Sequence, residues 1–359
     1  MADDASTIEF NRKKIYEKLD YAPEPSDYSS KIPWVVQQQV AATNGVHYVD
    51  RIGKLKEYPI FELPVKQVSA NKLMLDIGNG WGRWLVAGAN KGYIPIGIDL
   101  RLEFCQTARS VLKDLNKVGY SVVADLENLP FQDNVFDLVW SFSVIQHTHY
   151  QRLTNCLQHI NRILSESGFT YLEFPNKNGI RNKYGPLKES EKEKGDYNSW
   201  CVRYYTPDEY KEIFEKFLSD FSYYNHSFLG IGVLKEDLKY VSFKNKVLSA
   251  LSLACSALTQ VIPPLKNYSD SLYIQSRKKS GPDINSGAGL ESRKLFFSNV
   301  KANPSDNLNV VSLLRCPKYG TALELSPDRK KIISKEAGIC YPIENEIPIL
   351  IVSEAKSVG

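Results

Sequence analysis

The feature that most constrains this chain of 359 residues is the run Asp76-Ile77-Gly78-Asn79-Gly80-Trp81-Gly82, which directly follows a short apolar stretch. Glycines at alternate positions let the backbone turn sharply and approach a ligand closely, because they lack Cβ. LMLDIG predicts a buried strand, GNGWG a turn, and residues 84–90 the start of a helix. The alternation continues with YIPIGID (93–99) as a strand and a helix over 102–116 that carries Phe104, Ala108, Val111 and Leu115 on one face. SVVAD (121–125), VFDLVWS (135–141), a helix around 150–165 and FTYLEF (169–174) follow. Strands alternating with helices predict an α/β fold built on a doubly wound, mostly parallel sheet.

The glycine spacing is G-x-G-x-G. Arg83 stands where a dinucleotide-binding loop carries its third glycine, so the loop is not built to bring a helix hard against a pyrophosphate. Asp76 puts negative character before the loop. Asp99 ends the second predicted strand, where an acid can accept ribose hydroxyls, and Asp125 ends the third, where a carboxylate can hold an amino group with Leu126 beside it. Asp137 begins the fourth, and Ser141-Phe142-Ser143 leaves its end. In an open parallel sheet a ligand crevice lies at these carboxyl ends.

LDIGNGWGRW, GIDL, ADLENLPFQDNVFDLVWS and SVIQHT together resemble class I S-adenosylmethionine-dependent methyltransferases, of the small-molecule "methyltransferase domain 11" group, over residues 70–175. The resemblance implies a Rossmann-like fold, S-adenosylmethionine as cofactor, and a lining of Asp76, Gly78, Asn79, Gly80, Trp81, Asp99, Leu100, Asp125, Leu126 and Ser141. The sulfonium and amino-acid tail of that cofactor suit a loop preceded by an acid and lacking a phosphate cradle. His147 follows the fourth strand, where such folds present the acceptor to the methyl group. A neutral imidazole there can act as general base, or it can serve as a helix cap.

No N-P-P-Y motif and no Pro-Cys pair follows the fourth strand, which disfavours base-amino and cytosine carbon methylation. The long connection over 175–205 offers Asn176, Asn178, Arg181, Tyr204 and Tyr205 as hydrogen-bonding and aromatic groups for a sugar or other small polar molecule. Oxygen methylation of such an acceptor is the expected reaction. Nitrogen methylation, RNA or protein substrates, and an inert scaffold are the alternatives.

A formal charge of +4 from 45 basic and 41 acidic residues does not call for a nucleic-acid partner. The six cysteines form no C-x-x-C pair, and the first twenty residues lack an apolar h-region, so a cytoplasmic protein with reduced thiols is expected. Residues 1–68 read as an arm with short helices, and 69–278 as the methyltransferase domain. Thr206, Pro207 and Glu209 spell a capping box. Residues 247–265 carry no charge. Ser249, Ser252, Ser256 and Gln260 form one stripe and Leu248, Leu251, Cys255, Leu258 and Ile262 the other. An amphipathic helix over 244–262 packed on the domain is expected, with a membrane-surface or partner contact, or a span, as alternatives. Residues 279–308 read as a linker.

Residues 309–354 form a small C-terminal α+β unit whose CPKYG, GICYPI and EIPIL are similar to the zinc-ribbon-like activator of tRNA and protein methyltransferases. That family's two C-x-x-C pairs fall here on Cys316 and Tyr319 and on Ser334 and Ala337, so the unit is expected to be metal-free.

Overall fold

A computed structural model describes residues 24, 26, 28–44, 48, 51–69, 71–184, 202–229, 235–280 and 286–358. The first twenty residues, the lysine-rich run 188–194 and Cys201 lie outside them. The central strands are β1 (Lys72–Ile77), β2 (Tyr93–Asp99), β3 (Tyr120–Ala124), β4 (Phe136–Ser141) and β5 (Leu164–Pro175), parallel to one another in the order β5-β4-β1-β2-β3. β6 (Leu218–Ser227) and β7 (Ser271–Lys278) complete one side, with β7 antiparallel to both β5 and β6. The order β6-β7-β5-β4-β1-β2-β3 makes a doubly wound, mostly parallel sheet, the α/β architecture expected. β1, β3 and β4 are almost entirely buried, as strands covered on both faces must be.

The helices are α1 (Trp34–Thr43), α2 (Arg83–Asn90), α3 (Leu102–Asp114), α4 (Tyr150–Ile163), α5 (Ile180–Tyr184), α6 (Pro207–Glu215), α7 (Phe243–Val261) and α8 (Ser286–Ala302). The capping box at α6 is present: Thr206 accepts from Glu209 N, and Glu209 accepts in return from Thr206 N. α1 packs Val36 and Val40 with Trp81 and the inner face of α3, so the N-terminal arm is tied to the domain.

Three expectations change in the folded chain. Residues 286–302 of the segment read as a linker form α8. Phe296 is buried edge-on to Tyr120, and Arg293 donates to Val135 O and, at 2.9 Å, to Asp137 Oδ2. The Gly-Ser-Lys composition of that segment hid two anchoring side chains.

The C-terminal unit does not stand apart. Its strands β8 (Glu324–Leu325), β9 (Lys331–Ser334), β10 (Ile339–Glu344), β11 (Ile347–Leu350) and β12 (Lys356–Ser357) extend the main sheet. β11 lies parallel to β3, with Ile349 opposite Val123 and Leu350 opposite Ala124. Leu314, Ile332, Tyr341 and Leu350 join the core of the larger domain. This pairing covers the otherwise open edge of β3. At the positions of the zinc-ribbon pairs, Cys316 Sγ lies 3.4 Å from Tyr341 Oη, while Ser334 Oγ meets Thr321 Oγ1 at 2.6 Å and accepts from Ala337 N. Among the described residues no group of three or more metal-ligating side chains occurs.

α7 is turned the other way round from a helix that buries its leucines. Ser249 and Ser252 are buried, and Leu251, Leu258 and Ile262 are exposed. No helix among the described residues is long and apolar enough to cross a membrane.

Candidate active site

The loop after β1 is held by short local bonds. Gly78 N and Asn79 N both donate to Ile98 O, at 2.8 and 2.9 Å, and Gly80 N donates to Asp99 Oδ2 at 3.1 Å. Gly82 begins α2 at φ +94, and a Cβ there would sit 2.9 Å from Ala108 Cα, so only glycine lets the loop close on α3. Among the described residues, a Cβ on Gly80 (φ +48) would meet nothing nearer than Thr43 at 3.9 Å.

The candidate side chains divide into two groups. Asp76 is fully buried and neither carboxylate oxygen has a hydrogen-bond partner. Burial pushes its carboxyl up to about 8, against the pull of Arg83 and with the charge of Asp99 adding to the rise. Asp99 accepts from Gly80 N and from Arg101 N, and burial raises it too. Asp125 accepts from Glu127 N and pairs with Arg152 at 3.0 Å, and Leu126 is buried beside it while Leu100 is exposed.

The other group is used inside the fold. Asn79 donates to Gly80 O at 2.7 Å and fills the space a Cβ on Gly97 would need. Trp81 is buried with its Nε1 on Asn44 Oδ1 at 3.1 Å, so its ring anchors the arm instead of lining the loop. Ser141 is buried with its hydroxyl on Ile77 O at 3.0 Å. Asn176 spends its amide on Asn267 O and Ser269 O, and Tyr205 is buried against Tyr210. Arg181 N is held by Asp270 Oδ1 at 2.7 Å, and Tyr204 stays half-buried nearby. His147 sits on the 3-10 turn Ile145–His147, beside Gln146, and its carbonyl accepts from Arg203. The cap of α4 is His149, which accepts from Gln151 N.

The structure also gathers residues that the sequence reading did not place in the site. Arg83 stacks over Phe61 and Phe142 at 5.0 Å and over Trp84 at 5.1 Å. Burial lowers its pKa, opposed by the charges of Asp237 and Asp76. Glu173 lies on β5 on the same sheet face, opposite Tyr273 in the β5–β7 register. Its Oε2 accepts from Ser143 N at 3.1 Å and Ser143 Oγ at 2.9 Å. Burial pushes Glu173 up to about 7, against hydrogen bonds from Ser143 and Ser271. His226, near the end of β6, packs 4.6 Å from Tyr273 and 5.2 Å from Phe142, and its Nε2 is buried without a partner. Burial and then Arg83 lower it to about 4, so it is neutral near pH 7. The only hint of Glu173 in the sequence was an acid inside a strand otherwise reading as buried. His226 gave none.

Asp76, Glu173 and Tyr273 share one sheet face through the β1–β4–β5–β7 register, and Arg83 and His226 pack against Phe142 beside them. An unpartnered buried carboxylate beside a glycine loop fits a ligand that carries positive charge, and Asp99 next to it retains acceptor lone pairs for hydroxyls. The S-adenosylmethionine expected from the sequence carries both.

Residues 75–172 match a methyltransferase-domain family. A stretch of 52 residues is 40% identical to a UPF0434 protein of Ectopseudomonas mendocina, covering 85% of that protein and 14% of this chain. Two solved structures are similar at lower identity. A chain in the complex between the Haloferax volcanii Trm112 methyltransferase activator and a methyltransferase is 18% identical, with 61% of this chain and 87% of that chain covered and a TM-score of 0.40. The Haemonchus contortus phosphoethanolamine N-methyltransferase 2 in complex with S-adenosyl-L-methionine is 17% identical, with 59% and 50% covered and a TM-score of 0.41.

Proposed function

Since the chain is an S-adenosylmethionine-dependent methyltransferase that belongs, through its C-terminal segment, to the UPF0434 family, we propose that it methylates a hydroxyl oxygen of a sugar or another small polar acceptor. The observation that carries this reading is the cluster on the Asp76 face of the sheet, where Glu173 and His226 supply polar groups among the rings of Phe142 and Tyr273. Aromatic walls with a few placed polar groups suit a small ring-shaped acceptor.

S-adenosylmethionine supplies an electrophilic methyl group when bound, and Asp76, Gly78, Gly80, Asp99, Asp125 and Leu126 are the residues proposed to hold it. Glu173 Oε is proposed as the proton acceptor for the acceptor hydroxyl. Its raised carboxyl lies close to working pH, where a general base is most effective. His226 Nε2 orients the acceptor as a neutral hydrogen-bonding group. Arg83 holds the charge of the cluster in balance from its aromatic seat. The cytoplasm is the proposed compartment, consistent with free thiols at the described cysteines 105, 156, 255, 316 and 340.

His147 is the competing base, and one experiment separates them. Glu173→Gln is expected to lower turnover by about 10²–10⁴-fold with cofactor affinity retained, and to remove the limb of the rate profile that rises through pH 7. His147→Ala is expected to keep most of the rate. A Glu173→Gln variant with near-normal turnover, or a His147→Ala variant that loses it while folded, refutes the assignment.

A further inference from the structure

We propose that the outward face of α7 docks on an anionic lipid surface. The helix is 19 residues long, and it presents Phe243 at 83%, Leu251 at 50%, Leu258 at 49% and Val261 at 78% exposure. A contiguous apolar face of this kind on a helix surface marks a contact site. The inward stripe is polar and already used. Ser252 Oγ accepts from Phe228 N at 3.0 Å, and Thr259 Oγ1 donates to Asn225 Oδ1 at 2.8 Å. Rotating the helix to bury its leucines would leave Phe228 N without its acceptor, so the outward face is set by the packing.

Charge selects the occupant. No Asp or Glu occurs between Asp237 and Asp270, while lysines stand at 239, 244, 246 and 266. Lys239 is paired with Glu57, and Lys266 reaches Tyr223 O at 3.4 Å. Lys246 is exposed beside a hollow of about 310 Å³ lined by Leu238, Ala250 and Leu253. A second copy of the chain laid against this face would offer no carboxylate from residues 238–269 to meet Lys246. An anionic bilayer meets both features, since acyl chains take the leucines and headgroups take Lys246. The helix lies on such a surface without crossing it. Asn225 and Phe228, which α7 clasps, flank His226 in sequence, so the docked helix packs on the strand that carries His226.

The test uses the full chain with sedimentation of vesicles of phosphatidylcholine, with and without about one third phosphatidylglycerol. Binding to the anionic vesicles is expected to exceed binding to neutral ones by about tenfold and to fall in about 1 M salt. Leu251→Asp with Leu258→Asp is expected to lose about tenfold or more of the vesicle binding while keeping its melting temperature and its affinity for S-adenosylhomocysteine. That affinity separates failure of this proposal from failure of the methyltransferase site. Absence of vesicle binding overturns the proposal, as does equal binding by the double variant. A dimer in light scattering that the same variant dissolves, without vesicle binding, assigns the face to a second copy and equally overturns it.

Discussion

The substitution Asp76→Asn keeps the volume and removes the charge at the one carboxylate that the described fold buries without any hydrogen-bond partner. In the free protein that charge is a burden. Folding raises the carboxyl from 3.8 to about 8, so the folded state binds a proton that the unfolded chain releases. The associated stability is complete below the unfolded value and is lost as pH rises towards the folded one, with a slope of up to about 1.4 kcal/mol per pH unit. The amide of the variant does not titrate and has no such slope, so the variant should gain on the wild type in thermal melts as pH rises from about 6 to about 8. Ligand binding should move the other way. A charge-assisted hydrogen bond from a cationic ligand to Asp76 is worth about 1.5–3 kcal/mol, or roughly 10- to 150-fold in affinity. Calorimetry with S-adenosylmethionine and S-adenosylhomocysteine tells which positive group is read. Equal losses for both point to the ammonium, and a larger loss for the methylated form points to the sulfonium. Unchanged affinity for both ligands, with an unchanged pH slope of stability, would refute the reasoning.

The remaining expectations can be checked on single variants. Asp99→Ala removes the acceptor that pins Gly80 N and a hydroxyl acceptor for the cofactor, and should weaken binding by about 1.5–3 kcal/mol in calorimetry; unchanged affinity removes Asp99 from the site. Arg293→Leu breaks the contact between α8 and the buried Asp137, which keeps Lys72 and Leu73 N as partners, and should cost about 2–3 kcal/mol in denaturant unfolding. A cost within about 0.5 kcal/mol, the range of ordinary surface changes, would make α8 a passive tether. Elemental analysis of the purified chain should find no stoichiometric zinc, because Ser334 and Ala337 occupy ligand positions and Cys316 is engaged with Tyr341. One zinc per chain would overturn that expectation.

The sheet and the glycine turn after β1 were legible because their signals are local. The strand at Tyr93–Asp99 was bounded correctly from YIPIGID, and the capping box at Thr206 from four adjacent residues. In both, burial on two faces or an orphan backbone donor dictates residue types within one or two turns of chain. Asp76, Gly80 and Asp99 belong to the same class, since a strand end followed by a tight turn writes itself into neighbouring positions.

Tertiary structure alone decided the rest. Glu173, His226 and Tyr273 come from three strands far apart in sequence, and strand order and register bring them to one face. Trp81 and Asn79 sat in the right motif, yet their side chains turned away because α1 and Gly97 offered them better-packed places. The composition of 279–308 suggested a linker until Phe296 found Tyr120, and the leucines of α7 turned outward because Phe228 N and Asn225 claimed its hydroxyls. Periodicity in a sequence tells which residues share a face. It does not tell which face has a partner, because that depends on backbone groups and surfaces that meet only when the chain has folded.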